Sequence, residues 1–378
     1  LGNISVNKMM GPTKKDQLRG IGNLDRRFTW IGMGLLTGLI TFLLSLNPTF
    51  TEVVYSRGVF VLIRWVWDYT IGWIPFPLIY LLLAGLLYWI ISGLIASRKT
   101  RSIQPFRNQL AGYVFSFLAF LSAVYVIFQL LWGFNYQRQP IEASLGLAVA
   151  WPDSVELVQE FNRVTDKLTK LREKVSSASA EGFSFEEAYL REQLVVTLEQ
   201  NGYPTPGRPR GKTVAPKGSL MHWGALGIYL PFIGEGSIDA GLPEITLPFT
   251  LIHELSHGYG FGDEGTANFW AYLSCTQSSD IRLQYIGELS YWRHLARLVY
   301  YDHPEEYERV RDSLSPAIMA DLDLIRKTYA AYPAYFPEFF AKVYDRYLKS
   351  QGIEEGVKSY SRVVALIMAW DEKQLQVD

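Results

Sequence analysis

Three runs in this chain, Phe28 to Leu46, Ile74 to Ala96 and Leu110 to Trp132, contain no Asp, Glu, Lys or Arg. A helix that crosses a bilayer needs roughly 20 apolar residues. Each run has that length, and three such runs rarely pack inside one small soluble domain. They predict a membrane domain over residues 28–135, with spans 28–46, 74–96 and 110–132. It follows an N-terminal segment, 1–27, and precedes a soluble domain, 136–378. The composition agrees: apolar residues make up 49% of the chain against 19% charged, and the excess sits mostly before residue 135.

Basic residues predict the orientation. Lys8, Lys14, Lys15, Arg19, Arg26 and Arg27 precede the first span, and Arg98, Lys99, Arg101 and Arg107 lie between the second and third. The positive-inside rule puts both segments in the cytoplasm and everything after Trp132 on the outer face. A multi-pass membrane protein with an extracytoplasmic second part is the expectation. The first span lacks a small-residue cleavage site and reads as an uncleaved anchor. The link Thr51 to Trp73 reads as an amphipathic helix in the outer interface or as a re-entrant segment. Trp30, Trp73, Trp89 and Trp132 sit where an aromatic belt would place them.

Composition removes other classes. The net charge is −1, which gives no footprint for nucleic acid. Cys275 is the only cysteine, so the chain can form neither an internal disulfide nor a cysteine-based zinc site.

The second part reads as mainly helical. Val155 to Val175 carries apolar residues at helical spacing, with Asp153 or Ser154 as cap. Phe185 to Leu198 is a second helix. Asn201 to Gly218, rich in Pro and Gly, reads as a long loop or a bridging segment. Gly227 to Pro243 breaks the helical pattern and predicts a short β hairpin or edge strand. Helical patterns return from Thr246.

His253-Glu254-Leu255-Ser256-His257 fits HExxH. Residues four apart lie on one helix face. Both imidazoles can therefore reach one Zn2+ at about 2.0–2.1 Å. Glu254 projects beside them as a base for a water acidified by the metal. After His257, Gly258-Tyr259-Gly260-Phe261-Gly262 stops the helix and lets the chain fold back. Two adjacent acids then compete for the third metal position. Asp263 completes HExxHxxGxxD, which resembles the metzincin spacing with Asp replacing the final His. Glu264 opens Glu-x-x-Ala-Asn, which resembles the gluzincin pattern, and Asn268 would then orient a ligand histidine. Glu264 is the preferred ligand, with Asp263 as the alternative.

The string Leu247-Pro248-Phe249-Thr250, HELSH, Gly260-Phe261 and Glu264-x-x-Ala267-Asn268-Phe269-x-Ala271-Tyr272-Leu273 resembles domain-of-unknown-function family 3810. Pro231-Phe232-Ile233-Gly234-Glu235 resembles that family's Pro-Phe-Thr-Gly-Glu segment. The resemblance covers nearly the whole chain. It implies a bacterial membrane protein with an outward, zincin-like HExxH domain, ligands His253, His257 and Glu264, and Glu254 as base. Thr266 departs from the family's Glu-x-Glu-Ala-Asn at the second acid.

Tyr285, Tyr291, Arg293 and His294, on a following helix, are candidates to stabilise an oxyanion. His222 is a further candidate, and Glu235 a possible contact for a substrate amine. The edge strand would pair with an extended peptide. The leading expectation is a membrane-anchored zinc metallopeptidase acting on a peptide or protein substrate. The alternative is a catalytically silent, metal-stabilised scaffold that binds an envelope partner. Intramembrane proteolysis is disfavoured, because Glu244, Asp263 and Glu264 leave too short an apolar stretch around the motif.

Overall fold

A computed structural model describes residues 14–100, 106–178, 182–353 and 362–377. Of the basic residues used for orientation, Lys8 and Arg101 lie outside the described residues. In chain order the elements begin with α1 (Lys14–Ser45), the turn α2 (Pro48–Phe50), a π-helix (Thr51–Val59) and α3 (Phe60–Thr70). Then come α4 (Ile79–Thr100), α5 (Phe106–Leu131), α6 (Ile141–Leu145), α7 (Ser154–Ala178) and α8 (Glu187–Gln200). The strands are β1 (Arg210–Val214), β2 (Gly227–Leu230) and β3 (Glu235–Asp239). The chain continues through α9 (Leu247–Gly258), α10 (Glu264–Thr276), α11 (Ile281–Asp302) and α12 (Pro304–Ser313). It closes with α13 (Pro316–Ala331), α14 (Pro337–Ser350) and α15 (Arg362–Val377).

The chain divides into two compact units, Leu1–Leu43 with Leu86–Leu130, and Leu44–Gly85 with Leu131–Asp378. In the first, α1 and α5 cross closely. A Cβ at Gly34 would stand 2.9 Å from the Ser122 side chain, so glycine permits the approach. Thr41 and Tyr125 share a hydroxyl hydrogen bond of 3.2 Å, and Trp89 stacks on Phe120. Among the described residues, two helices, Arg26–Ser45 and Ala111–Leu131, are long and apolar enough to cross a membrane. Three were expected. The run Ile74 to Ala96 is not one helix, because Pro75 and Pro77 prevent helix formation at its start and α4 begins only at Ile79. The apolar part that remains, Ile79–Ile95, is shorter than the other two.

The second unit is mainly helical around a three-stranded sheet of order β1-β3-β2. β1 runs parallel to β3, and β2 antiparallel to it. The β2–β3 pair is the expected hairpin. β1 was expected to be loop: its sequence, Arg-Gly-Lys-Thr-Val, has no apolar alternation, and pairing with β3 makes it a strand. Asp153 caps α7 by accepting from the Val155 and Glu156 amides. Phe161, Leu168, Leu190, Leu194, Ile252 and Phe269 are among the side chains fully enclosed in the core.

Glycines let α9 lie directly on the sheet. A Cβ at Gly211 of β1 would overlap Leu251, 2.0 Å from its Cδ1. At Gly236 of β3 it would meet the Glu254 Cβ at 3.0 Å. The helix that carries HExxH is thus pressed against strands that offer no side chain at the contacts.

Candidate metal centre

α9 ends in a Schellman motif. The Gly260 amide donates to the His257 carbonyl and the Phe261 amide to that of Ser256. Gly260 adopts φ +90°, which glycine reaches without strain. This turn brings the Phe261 carbonyl back to 2.6 Å from His257 Nδ1. On the preceding turn of α9, His253 Nδ1 lies 2.9 Å from Asn268 Oδ1 on α10. Both acceptors favour a protonated Nδ1, so the neutral form of each ring keeps its lone pair on Nε2. Those two Nε2 atoms face each other at 3.1 Å.

The third member comes from the first turn of α10. Glu264 Oε2 stands 3.1 Å from His253 Nε2 and 3.7 Å from His257 Nε2. One ligand atom from each of the three residues falls within 4.8 Å of the others. Glu264 Oε2 is buried and accepts no hydrogen bond. Two imidazole nitrogens and a buried carboxylate oxygen turned toward one another could hold a cation between them. The donor set fits Zn2+.

Burial pushes the His257 imidazole down, but the Glu264 carboxylate pulls it up to about 9. Burial alone would raise Glu264, yet His257 and His253 hold it well below the ordinary carboxyl range. Glu254 is raised by burial, an effect the two histidines partly offset. It lies beneath β2, where a Cβ at Gly227 would sit 2.7 Å from its Oε1.

Asp263 is not in this cluster. Its carboxylate caps α10, accepting from the Thr266 amide at 2.8 Å and the Thr266 hydroxyl at 2.7 Å, with Arg362 at 3.3 Å. The residue that departs from the resembled pattern, Thr266, is therefore the one that holds Asp263 on the helix end.

A profile of a family described as a protein of unknown function, DUF3810, matches residues 55–368. The chain belongs to the DUF3810 family. No curated protein and no solved structure matches it. The DUF3810 match includes α9, α10 and every residue of the cluster.

The other candidates in this DUF3810 chain have structural partners. Tyr285 donates to Asp321 at 2.8 Å and Tyr291 to Glu160 at 2.9 Å, both buried. Arg293 lies over the Tyr329 ring. His222 contacts the Pro333 carbonyl through Nδ1 at 2.9 Å and stacks on Tyr335. Glu235 is buried, paired with Lys212, and accepts from the Leu78 amide at 2.9 Å, which leaves no carboxylate for a substrate amine. His294 is lowered to about 3 by burial, then by Arg293 and His253, so its imidazole is neutral within electrostatic reach of the cluster.

Two contacts had no signal in the sequence. The Tyr344 phenol, from α14, donates to Glu264 Oε1. The Trp132 indole donates to the His257 carbonyl at 2.8 Å. Of the four tryptophans that fit a belt or simple packing, Trp132 is buried, whereas Trp30, Trp73 and Trp89 are exposed.

Proposed function

We propose that this chain is a membrane-anchored zinc metallopeptidase that hydrolyses a peptide bond of a peptide or protein substrate. The observation that carries the reading is the convergence of His253 Nε2, His257 Nε2 and Glu264 Oε2, with each histidine oriented through its Nδ1. Bound Zn2+ would supply a Lewis acid for the scissile carbonyl and acidify a water ligand. Glu254, one residue from His253 on the same helix, takes the proton of the attacking water and returns it to the leaving amine. β2 is an edge of the sheet and lies over Glu254, which suits antiparallel pairing with an extended substrate.

The anchor reading rests on the two long apolar helices. Residues Leu44–Gly85 follow the first of them directly and belong to the same unit as the cluster. That unit also contains Leu131–Asp378, so the chain has to cross back before the second long helix, and the shorter apolar stretch Ile79–Ile95 of α4 is the return. With the basic N-terminal segment in the cytoplasm, the unit then lies outside the cytoplasmic membrane of a bacterial cell.

The test is metal content of the purified chain, of Glu264→Ala and of Asp263→Ala, followed by cleavage of a peptide library. One zinc per chain, lost in Glu264→Ala and kept in Asp263→Ala, is expected, with cleavage abolished in Glu254→Gln. No zinc in the unaltered chain after it is offered overturns the reading. Bound zinc without cleavage of any peptide favours the silent scaffold that binds an envelope partner.

A further inference from the structure

Residues 48–76 form an amphipathic segment turned the opposite way from one that faces water. It contains four charged residues, Glu52, Arg57, Arg64 and Asp68. All four are held by protein. Glu52, 4% exposed, pairs with Arg138 at 2.7 Å and Arg57 at 2.8 Å. Arg57 also donates to the Gly202 carbonyl at 2.6 Å. Arg64, also 4% exposed, donates to the carbonyls of Pro204 and Tyr259. Asp68 accepts from Arg208 and Arg210. The opposite face carries Val53, Leu62, Trp65, Tyr69, Trp73 and Phe76, with Leu62 at 65% exposure, Tyr69 at 67% and Trp73 at 74%. A helix in water buries its apolar stripe and exposes its charges. This one does the reverse, and the apolar face is contiguous along α3, where Leu62, Trp65 and Tyr69 recur at helical spacing.

We infer that this face beds in the outer leaflet of the lipid bilayer. Chain continuity identifies the occupant. The segment begins three residues after the apolar helix that ends at Ser45 and stops just before the apolar run that starts at Ile79. Its exposed Trp and Tyr side chains suit the headgroup boundary, where an apolar ring and a polar tip are both accommodated. Glu52 and Arg64 are already buried in protein, the Asp68 side chain is 6% exposed, and that of Arg57, 32% exposed, is paired with Glu52.

The inner face of the same segment holds the metal helix. Arg64 donates to the Tyr259 carbonyl, two residues after His257, and a Cβ at Gly260 would lie 2.8 Å from the Phe60 ring. One helix diameter, about 10–12 Å, therefore separates the lipid-facing side from the end of the HExxH helix. Resting on the peptidase reading, this geometry specifies the substrate class: a polypeptide tethered to the same membrane and cut in the stretch next to its anchor.

The experiment uses the full chain in nanodiscs, with an environment-sensitive fluorophore on Leu62→Cys and, as control, on Asp323→Cys. Cys275 is buried and stays unlabelled. A lipid-borne quencher is expected to dim the label at position 62 and leave position 323 unchanged. Quenching at 62 by aqueous iodide instead, or protection from both quenchers together with cross-linking between copies, overturns the inference. This readout needs neither metal nor catalysis. In a second arm, one peptide is offered free or tethered to a nanodisc lipid. Cleavage at least about tenfold faster when tethered is expected from effective concentration, and equal rates overturn the substrate class. Cleavage of neither, with position 62 in lipid, overturns the peptidase reading and leaves the bilayer contact standing.

Discussion

The Tyr344 phenol donates a hydrogen bond to Glu264 Oε1, the carboxylate oxygen turned away from the two histidines. It fixes the carboxylate so that Oε2 points at the imidazoles. Removing such an outer partner typically costs 10–100-fold in metal affinity. Tyr344→Phe is therefore expected to weaken zinc binding by about tenfold, with the helical circular dichroism unchanged. Unchanged affinity in a chelator competition would remove Tyr344 from any role in placing Glu264.

Asn268 and Asp263 are five residues apart and should separate cleanly. Asn268→Ala takes the acceptor from His253 Nδ1 and is expected to lower zinc affinity by about 10–100-fold. Asp263→Ala removes a helix cap and should cost about 1 kcal/mol of stability, with zinc stoichiometry kept. Titration with zinc and thermal melts of both variants check this. Loss of metal in Asp263→Ala alone would reverse the assignment.

Gly227 is where β2 passes Glu254, and any Cβ there falls 2.7 Å from Glu254 Oε1. Gly227→Val must displace the carboxylate or the strand. A misplacement of about 1 Å can cost roughly a hundredfold in rate. The expectation is a loss of that size in kcat with one zinc per chain retained. Wild-type turnover in this variant would show that Glu254 does not act from the position it occupies.

Glu52 bridges two arginines in a largely buried setting. Glu52→Ala leaves Arg138 without its carboxylate, and breaking a buried pair in this way costs about 3–5 kcal/mol. A clear fall in melting temperature of the detergent-solubilised chain is expected. Arg57→Ala, which removes a more exposed partner, should cost much less. Equal effects would contradict the burial argument.

Much of the architecture could be read in advance because it depends on local periodicity. The four-residue spacing from His253 to His257 is close to one helical turn, so two imidazoles share a face in any context that is helical. Gly260 announces the end of α9 for a similarly local reason, since the Schellman turn needs φ above zero. The β2–β3 hairpin showed itself through its glycines and its break in helical pattern. β1 did not, because its five residues carry no alternation and become a strand only by lying beside β3.

The amino-acid sequence by itself determined the uncharged apolar runs, the HExxH helix and the pair of acids that follows it. Tertiary structure decided which acid turns to the histidines. Asp263 and Glu264 are neighbours, and only the cap geometry with Thr266 sends one to the helix end and the other to the cluster. It also decided that Tyr344, eighty residues on, reaches Glu264, and that the charges of residues 48–76 face inward while their apolar side chains face out. Spacing along a chain fixes the face on which a side chain emerges; what that face meets depends on segments far away in sequence, and a single sequence carries no trace of that pairing.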